Sequence, residues 1–567
     1  MSLREQVRSW EPSTAVMFVM MCASAVVVAV VSLGLHLWGL LTGTQLPANP
    51  FVLVSVVMRG QVRLTAGAWV CVAVAAIALV GVALLVRRML KGPRSGRRTR
   101  ADAAARLTGA ASETVALSQA HAAAKARRLG VFGAAGLPVG RAVRGMRLLL
   151  STWEDVALML AGPRTGKTTC WVVPRVLAAQ GAVVVTSNKR DVVDATRSRR
   201  AASGRVWVFD PQAIANEEQT WWWDVMSYVT DAVQARALTE VFIDATRDPN
   251  ATTSAYFDSA ARDLVAALLL AAARSERPIT ELHRWLNDQS DDEPVRLLRK
   301  AGETMMADTL QGTLNLVAET RSGVYGAAAT IMSFMLNERA MRWVTPSPWL
   351  EQLDPAAFVA STDTLYCLSQ EGRGSASPIV TALTVAVTEA ALDHAKTQAD
   401  GRLSRPMLIE LDEAANVCRW RELPDLYSHF GSRGVVVDTV LQSWSQGVAA
   451  WGEAGMKKLW SAANVKVYGG GVSERGFLSE LSDLIGVHWT DSKQVSYSRQ
   501  GRSYSRSIAS QQKPIATVAD LQALPAGRAW VFASGATPVL AELVPWWTET
   551  TDKTGTRLTG ARGDTTG

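Results

Sequence analysis

Apolar and polar positions along this 567-residue chain fall into three regimes. No charged residue occurs between Thr14 and Met58, and Leu64–Val86 is a second uncharged stretch bounded by Arg63 and Arg87. These lengths predict two transmembrane helices, at about 15–41 and 64–86. A cleaved signal peptide would be shorter and would end in a small-residue cleavage site. A buried helical hairpin is the other reading of the same pattern.

The second regime is one of short apolar runs separated by helical spacing. Asp155–Leu160, Ala182–Ser187, Arg205–Asp210, Thr364–Leu368, Met407–Glu413, Val435–Leu441, Val465–Tyr468 and Ala529–Phe532 read as buried strands. Helices are expected at Lys167–Ala179 and about Ile379–Lys396. Strands alternating with helices predict an α/β fold around a parallel sheet. The third regime, 225–345, is Ala- and Leu-rich with helical period, as in Ala260–Arg274 and Gly326–Glu338, and reads as an all-α insertion in that core. Three adjacent tryptophans, Trp221–Trp223, stand at its entrance. They cannot share one helix face, so at least one is expected to be exposed or packed at a domain or subunit boundary. Val495–Gln512 is Ser/Arg-rich, a loop or hairpin, and 550–567 reads as a disordered tail. The expected division is 1–90 membrane anchor, 91–147 basic linker, 148–224 with 346–549 nucleotide-binding core, and 225–345 insertion.

Chemistry concentrates at strand ends. After the Asp155–Leu160 run comes Ala161-Gly162-Pro163-Arg164-Thr165-Gly166-Lys167-Thr168-Thr169, a phosphate-loop pattern with Ala in place of its first Gly. Such a loop turns backbone N–H groups toward a polyphosphate, Lys167 reaches its terminal oxygens, and the Thr168 hydroxyl can ligate Mg²⁺. A surface turn rich in Gly and Pro is the bland alternative. About 245 residues on, the strand MLIELDE ends in two acids. Asp412 suits the Mg²⁺ shell and Glu413 suits activation of a water. Glu410 shares a strand face with Asp412, so it needs a buried partner or an edge position. Gln442, at the tip of the next strand, can sense a terminal phosphate or position water, or is an ordinary strand-end residue. Lys189 either lines the site or caps the next helix.

Charge changes the picture in one place. Residues 87–147 carry a local net charge of +12 against +8 for the whole chain, so the rest of the molecule is net negative. The basic character is a juxtamembrane feature, which places this flank and the large C-terminal body in the cytoplasm, with both termini there. Anionic lipid attraction adds to that role, and a nucleic-acid arm is the rival. The 5 cysteines and 6 histidines have no metal-binding spacing, which argues against a disulfide framework or zinc chemistry.

With GPRTGKT, VWVFDP (206–211), LDEAANV (411–417), SRG (432–434), LQSWSQ (441–446) and IATVADLQALPAGRAWVF (515–532) assembled, the chain resembles the type IV secretion coupling proteins. These are membrane-anchored ATPases that link a DNA–relaxase complex to a conjugative secretion channel. The LDEAAN form is similar to versions from high-GC Gram-positive bacteria. The resemblance implies a RecA-like P-loop ATPase core, a homo-hexamer with ATP and Mg²⁺ between subunits, and a helical domain that meets the substrate. Its implied partners are DNA, taken as single-stranded, with bound relaxase, and channel proteins. Arg433 lies at the start of its strand, far from its own subunit's loop. The resemblance suggests an arginine there reaches a neighbour's site; otherwise it caps the preceding helix or pairs with an acid such as Asp425. Glu410 departs from the expected apolar residue, and the tail is short and not acidic. A double-stranded DNA translocase of the chromosome-segregation type shares the motor, and an ATP-binding docking receptor without turnover is the rival of a different class.

Overall fold

The computed structural model describes residues 12–60, 65–90, 101–246, 254–372, 374–497 and 504–548. Arg4, Arg8, the basic residues 91–100 and the tail 550–567 lie outside the described residues. The chain divides into two units, Met1–Arg98 and Thr99–Gly567. In the first, helices run over Pro12–Thr42, Pro50–Met58 and Ala66–Leu90. Leu35, Leu53 and Ala68 pack together, and a side chain on Gly34 would overlap the backbone of Val72, so glycine sets the close approach of the two long helices. Counted over the described residues alone, no helix is long and apolar enough to cross a membrane.

The second unit is built on an 11-stranded mixed sheet. Its strands are β1 (Leu137–Ala142), β2 (Leu148–Ser151), β3 (Ala157–Leu160), β4 (Val183–Ser187), β5 (Val206–Phe209), β8 (Thr364–Leu368), β9 (Met407–Leu411), β10 (Val435–Leu441), β11 (Val465–Tyr468), β14 (Arg528–Ala533) and β15 (Val539–Glu542). Two short ribbons, β6 (Trp221–Trp222) with β7 (Glu351–Gln352) and β12 (Val487–Tyr497) with β13 (Tyr504–Pro514), complete the numbering. The order is β2-β1-β15-β14-β11-β3-β10-β9-β4-β8-β5. From β11 to β5 neighbouring strands are parallel, whereas β14, β15, β1 and β2 extend the edge antiparallel. The central strands are near-continuous apolar runs because helices cover both faces. Leu158 and Leu160 face one core, Ala157 and Met159 the other.

The insertion is helical as expected. Ala255–Arg274 forms its axis, with every residue from Leu264 to Ala272 buried, and helices Ala232–Thr246, Thr304–Leu314 and Ala318–Ile331 surround it. All three tryptophans at its entrance are buried, so the exposed alternative does not hold. They pack at the boundary instead. Trp221 meets Trp207 at 5.7 Å and Trp343 at 5.3 Å, edge to face, and β6 pairs β7 so that entry and exit strands close the insertion at one point.

Residues 91–147 are not a linker throughout. From Ala101 the chain makes short 3₁₀ turns, a helix at Gln119–Arg128 and β1, which joins the sheet beside β15. The basic residues are scattered among short elements whose few apolar positions, such as Leu117, Ala126, Val131 and Leu137, fill the core. No single element is long enough to display a period, which hides it from pattern reading. Asp102, buried, pairs with Arg528 of β14 at 2.8 Å. The Ser/Arg-rich segment is the β12–β13 hairpin.

Glu410 is buried beside Asp438, and neither of its carboxylate oxygens has a hydrogen-bond partner among the described residues. It lies opposite Asp438 in the β9–β10 register, and Asp438 holds Arg175 through Nε and, at 2.9 Å, Nη2. Arg175 also donates to the Pro138 carbonyl and the Ser151 hydroxyl, both at 3.1 Å. Arg175, Asp438 and Glu410 are completely buried. Burial first, and the Asp438 carboxylate second, hold the Glu410 pKa well above the ordinary glutamate value of 4.5, which favours its protonated form. Above that ordinary value the unfolded chain gives up this proton while the native chain keeps it, so the contribution to stability falls as pH rises. Glu410→Gln should therefore flatten the fall in stability as pH rises above 4.5, as read in urea melts. Asp438→Ala should cost about 3–5 kcal/mol, by stranding Arg175.

Candidate nucleotide site

The loop Ala161–Lys167 springs from the carboxyl end of β3, at the middle of the sheet. Ala161 N–H donates to Leu441 O and Gly162 N–H to Gly470 O, tying the loop to the ends of β10 and β11. A Cβ on Gly162 would overlap the Gly471 carbonyl, so this glycine is required by contact. Arg164 (φ 59°) and Gly166 (φ 91°) take left-handed conformations that turn successive N–H groups inward. Thr165 Oγ1 closes the turn onto Gly162 O at 2.8 Å. The helix expected over Lys167–Ala179 is not one regular helix. It opens with a widened π turn, Thr168–Val172, and continues as α only over Val173–Ala178. Pro174 lacks an N–H, which interrupts the regular ladder there.

Lys167 is buried, with Nζ 3.0 Å from Ala161 O and 3.5 Å from a Glu413 carboxylate oxygen. Glu413 sits just past β9 at φ 57°, a left-handed conformation unusual for glutamate. Both of its carboxylate oxygens accept from Gln442 Nε2 at 2.8 Å. Asp412, also buried, accepts from Ser187 Oγ at 3.3 Å through Oδ2, while Oδ1 has no protein partner. Burial, then the neighbouring Glu413, push its pKa up to about 6, and Lys167 and Lys189 act the other way. Lys189, two residues past the end of β4, is exposed, and its backbone N–H donates to Ser187 Oγ at 3.3 Å.

Lys167, Asp412, Glu413 and Gln442 come together at one edge of the parallel strands, where anionic ligands bind in such sheets. Pro163, Arg164, Thr165, Thr168 and Thr169 follow in the same loop. Arg433 does not join them. It ends the 3₁₀ turn before β10, at the opposite edge, and Nη1 donates to Gly401 O at 3.0 Å. Asp425 pairs with Lys458 rather than Arg433. Three residues escaped sequence reasoning. Ser187 orients Asp412. Gln446 accepts the Gln442 N–H at 2.8 Å and donates to Asn416 at 2.7 Å, which fixes the backbone carrying Gln442. Gln446 stood inside LQSWSQ and Asn416 inside LDEAANV, but nothing in the spacing assigned them a task.

Residues 406–526 match the family model described as the TraM recognition site of TraD and TraG. Among solved structures, the unbound bacterial conjugative coupling protein TrwBdeltaN70 is similar, with a TM-score of 0.51 at 18% identity over 74% of this chain and 91% of that one. Plasmid coupling protein TrwB in complex with the ATP analogue ADPNP gives 0.52 at 16%, over 74% and 92%. The complex of TrwB with ADP and Mg²⁺ gives the same figures, 0.52, 16%, 74% and 92%. The fold is that of a conjugative coupling protein. None of the curated proteins compared matches the chain. Within the coupling-protein fold, the family match starts at β9 and runs through β10, β11 and the β12–β13 hairpin, and so contains Asp412, Glu413, Arg433, Gln442 and Gln446.

The geometry makes a prediction for a bare polyanion. Inorganic tripolyphosphate should bind the wild-type protein, and Lys167→Ala should weaken it by about tenfold or more in calorimetry, since a charge-assisted contact in a buried loop is lost. Gly162→Ala should abolish binding through the clash with Gly471.

Proposed function

We propose that this protein is a membrane-anchored ATPase that couples a DNA–relaxase substrate to a type IV secretion channel and drives DNA transfer by hydrolysing ATP. The observation that carries this reading is the convergence of Lys167, Asp412, Glu413 and Gln442 at the carboxyl edge of a coupling-protein sheet. Asp412 Oδ1, buried and unpartnered, together with Thr168 of the loop, fits Mg²⁺. Magnesium takes few protein ligands besides phosphate and water. Held by Asp412 and Thr168, Mg²⁺ would supply positive charge against the negative charge that develops during transfer.

The protein's own residues supply the rest. Without a polyphosphate Lys167 leans on Glu413; an arriving phosphate competes for the ammonium and frees the carboxylate to take a proton from water. Gln442 steadies that carboxylate and, through it, links phosphate occupancy to β10. Lys167→Ala should abolish DNA transfer between cells while the protein still reaches the membrane. Near-normal transfer by this variant would remove the motor from the account.

Arg433 acts in a neighbouring subunit of a hexamer. A seven-residue strand separates it from the edge bearing its own loop, roughly 20–25 Å. Arg433→Ala subunits should lose ATPase activity alone and regain part of it when co-assembled with Lys167→Ala subunits, because some interfaces then hold two intact halves. Mixed rings that assemble and stay inactive would exclude a role in trans.

The first unit is the anchor. The helix Pro12–Thr42 has no charged residue, and the uncharged run from Thr14 to Met58 supports this reading. Ala66–Leu90 carries its only charges, Arg87 and Arg88, near its end. The basic flank favours the cytoplasm and anionic lipid headgroups. Reporter fusions at Gly92 and Gly567 should read cytoplasmic and one at Ala48 the opposite side. An external signal at Gly567 would overturn this topology.

A further inference from the structure

The end of the sheet away from β10 has a feature that neither the phosphate loop nor the acidic strand uses. β15 pairs antiparallel with β14, and β14 antiparallel with β11, which is parallel to β3. β15 therefore runs in the direction of β3, and the chain leaving Glu542 emerges at the edge that carries the phosphate loop. It turns back across the first turn of the loop's helix, where Trp546 N–H donates to the Thr169 carbonyl at 3.0 Å. Thr169 belongs to the widened π turn and directly follows the loop's Lys167-Thr168 pair.

With its phosphates in the loop, a nucleotide has its ribose and base outside it. The segment 543–548 crosses the first turn of the helix that follows the loop and lies beside that exit. Its two tryptophans are held differently. The Trp546 ring is half-buried, with the Arg199 guanidinium 5.3 Å from its centroid. Trp547 stands edge to face against it at 5.9 Å and is 56% exposed.

We propose that Trp547 is the base platform of the nucleotide site, on which the purine of a bound nucleoside triphosphate stacks, and that the Trp546–Thr169 hydrogen bond positions it against the loop. This rests on the nucleotide-binding reading above and adds the residue that holds the base. An indole offers a broad π-face to any purine, and stacking of this kind does not depend on a hydrogen-bond code. ATP and GTP should therefore bind with similar affinity.

The test compares two ligands that share the phosphate chain and differ in the base, Mg-ATP and Mg-tripolyphosphate, titrated calorimetrically into the full-length protein. Trp547→Ala should weaken ATP by about 5- to 100-fold and leave tripolyphosphate unchanged, and Trp547→Phe should restore most of the ATP affinity. Unchanged ATP affinity in Trp547→Ala overturns the proposal, as does an equal loss for both ligands, which would mean that the substitution disturbs the loop itself. A wild-type protein that binds neither ligand would instead remove the nucleotide reading on which the proposal rests.

Discussion

A lysine and a glutamate 3.5 Å apart, with less than a tenth of either side chain exposed, make a demand on everything around them. Removing one partner from such a pair leaves a buried, uncompensated charge, at a cost of about 3–5 kcal/mol. The fold must therefore hold β3, β9 and β10 in fixed register, because Lys167 follows the first, Glu413 the second and Gln442 the third. The same geometry places Glu413 in a left-handed backbone conformation that an isolated turn would not favour. It keeps Asp412 beside Glu413, which helps raise the Asp412 pKa to about 6. A polyanion entering the loop would compete with Glu413 for Lys167.

Further along the same strands, the buried Arg175–Asp438–Glu410 cluster ties β9 and β10 to the helix that follows the phosphate loop. One buried arginine balances one carboxylate, and burial of the second acid favours its protonated form. The cluster also reaches Ser151 and the Pro138 carbonyl, so the antiparallel edge strands are joined to the loop's helix. Movement of that helix on ligand binding would be felt at the sheet edge formed by the segment after Ala101.

Much of this was legible in the sequence. The parallel strands stand out because burial on both faces turns them into apolar runs, and strand limits such as Thr364–Leu368, Val435–Leu441 and Val465–Tyr468 agree with the structure. The loop and its acidic partner carry their chemistry in residue type and spacing. Sheet order was not legible, since it depends on pairings hundreds of residues apart. The strand β1 was read as part of a basic linker, because charge dominated a segment too short to show a period. Pro174 could have warned of the irregular helix start. Gln446, Asn416 and Ser187 act only through contacts made by folding. Glu410 was legible as a problem, while its neighbour Asp438 lies on a strand that only the register identifies.

The central claim is that Glu413 acts on water while Lys167 and the loop hold the nucleotide. The most direct measurement is phosphate release by the purified protein with DNA present, for wild type and Glu413→Gln, alongside equilibrium binding of ATP to each. Wild-type protein should hydrolyse ATP, and the variant should bind ATP with near-wild-type affinity while turning it over about 10²- to 10⁴-fold more slowly. Wild-type-like turnover by Glu413→Gln, or loss of ATP binding in it, would contradict the assignment of the two carboxylates.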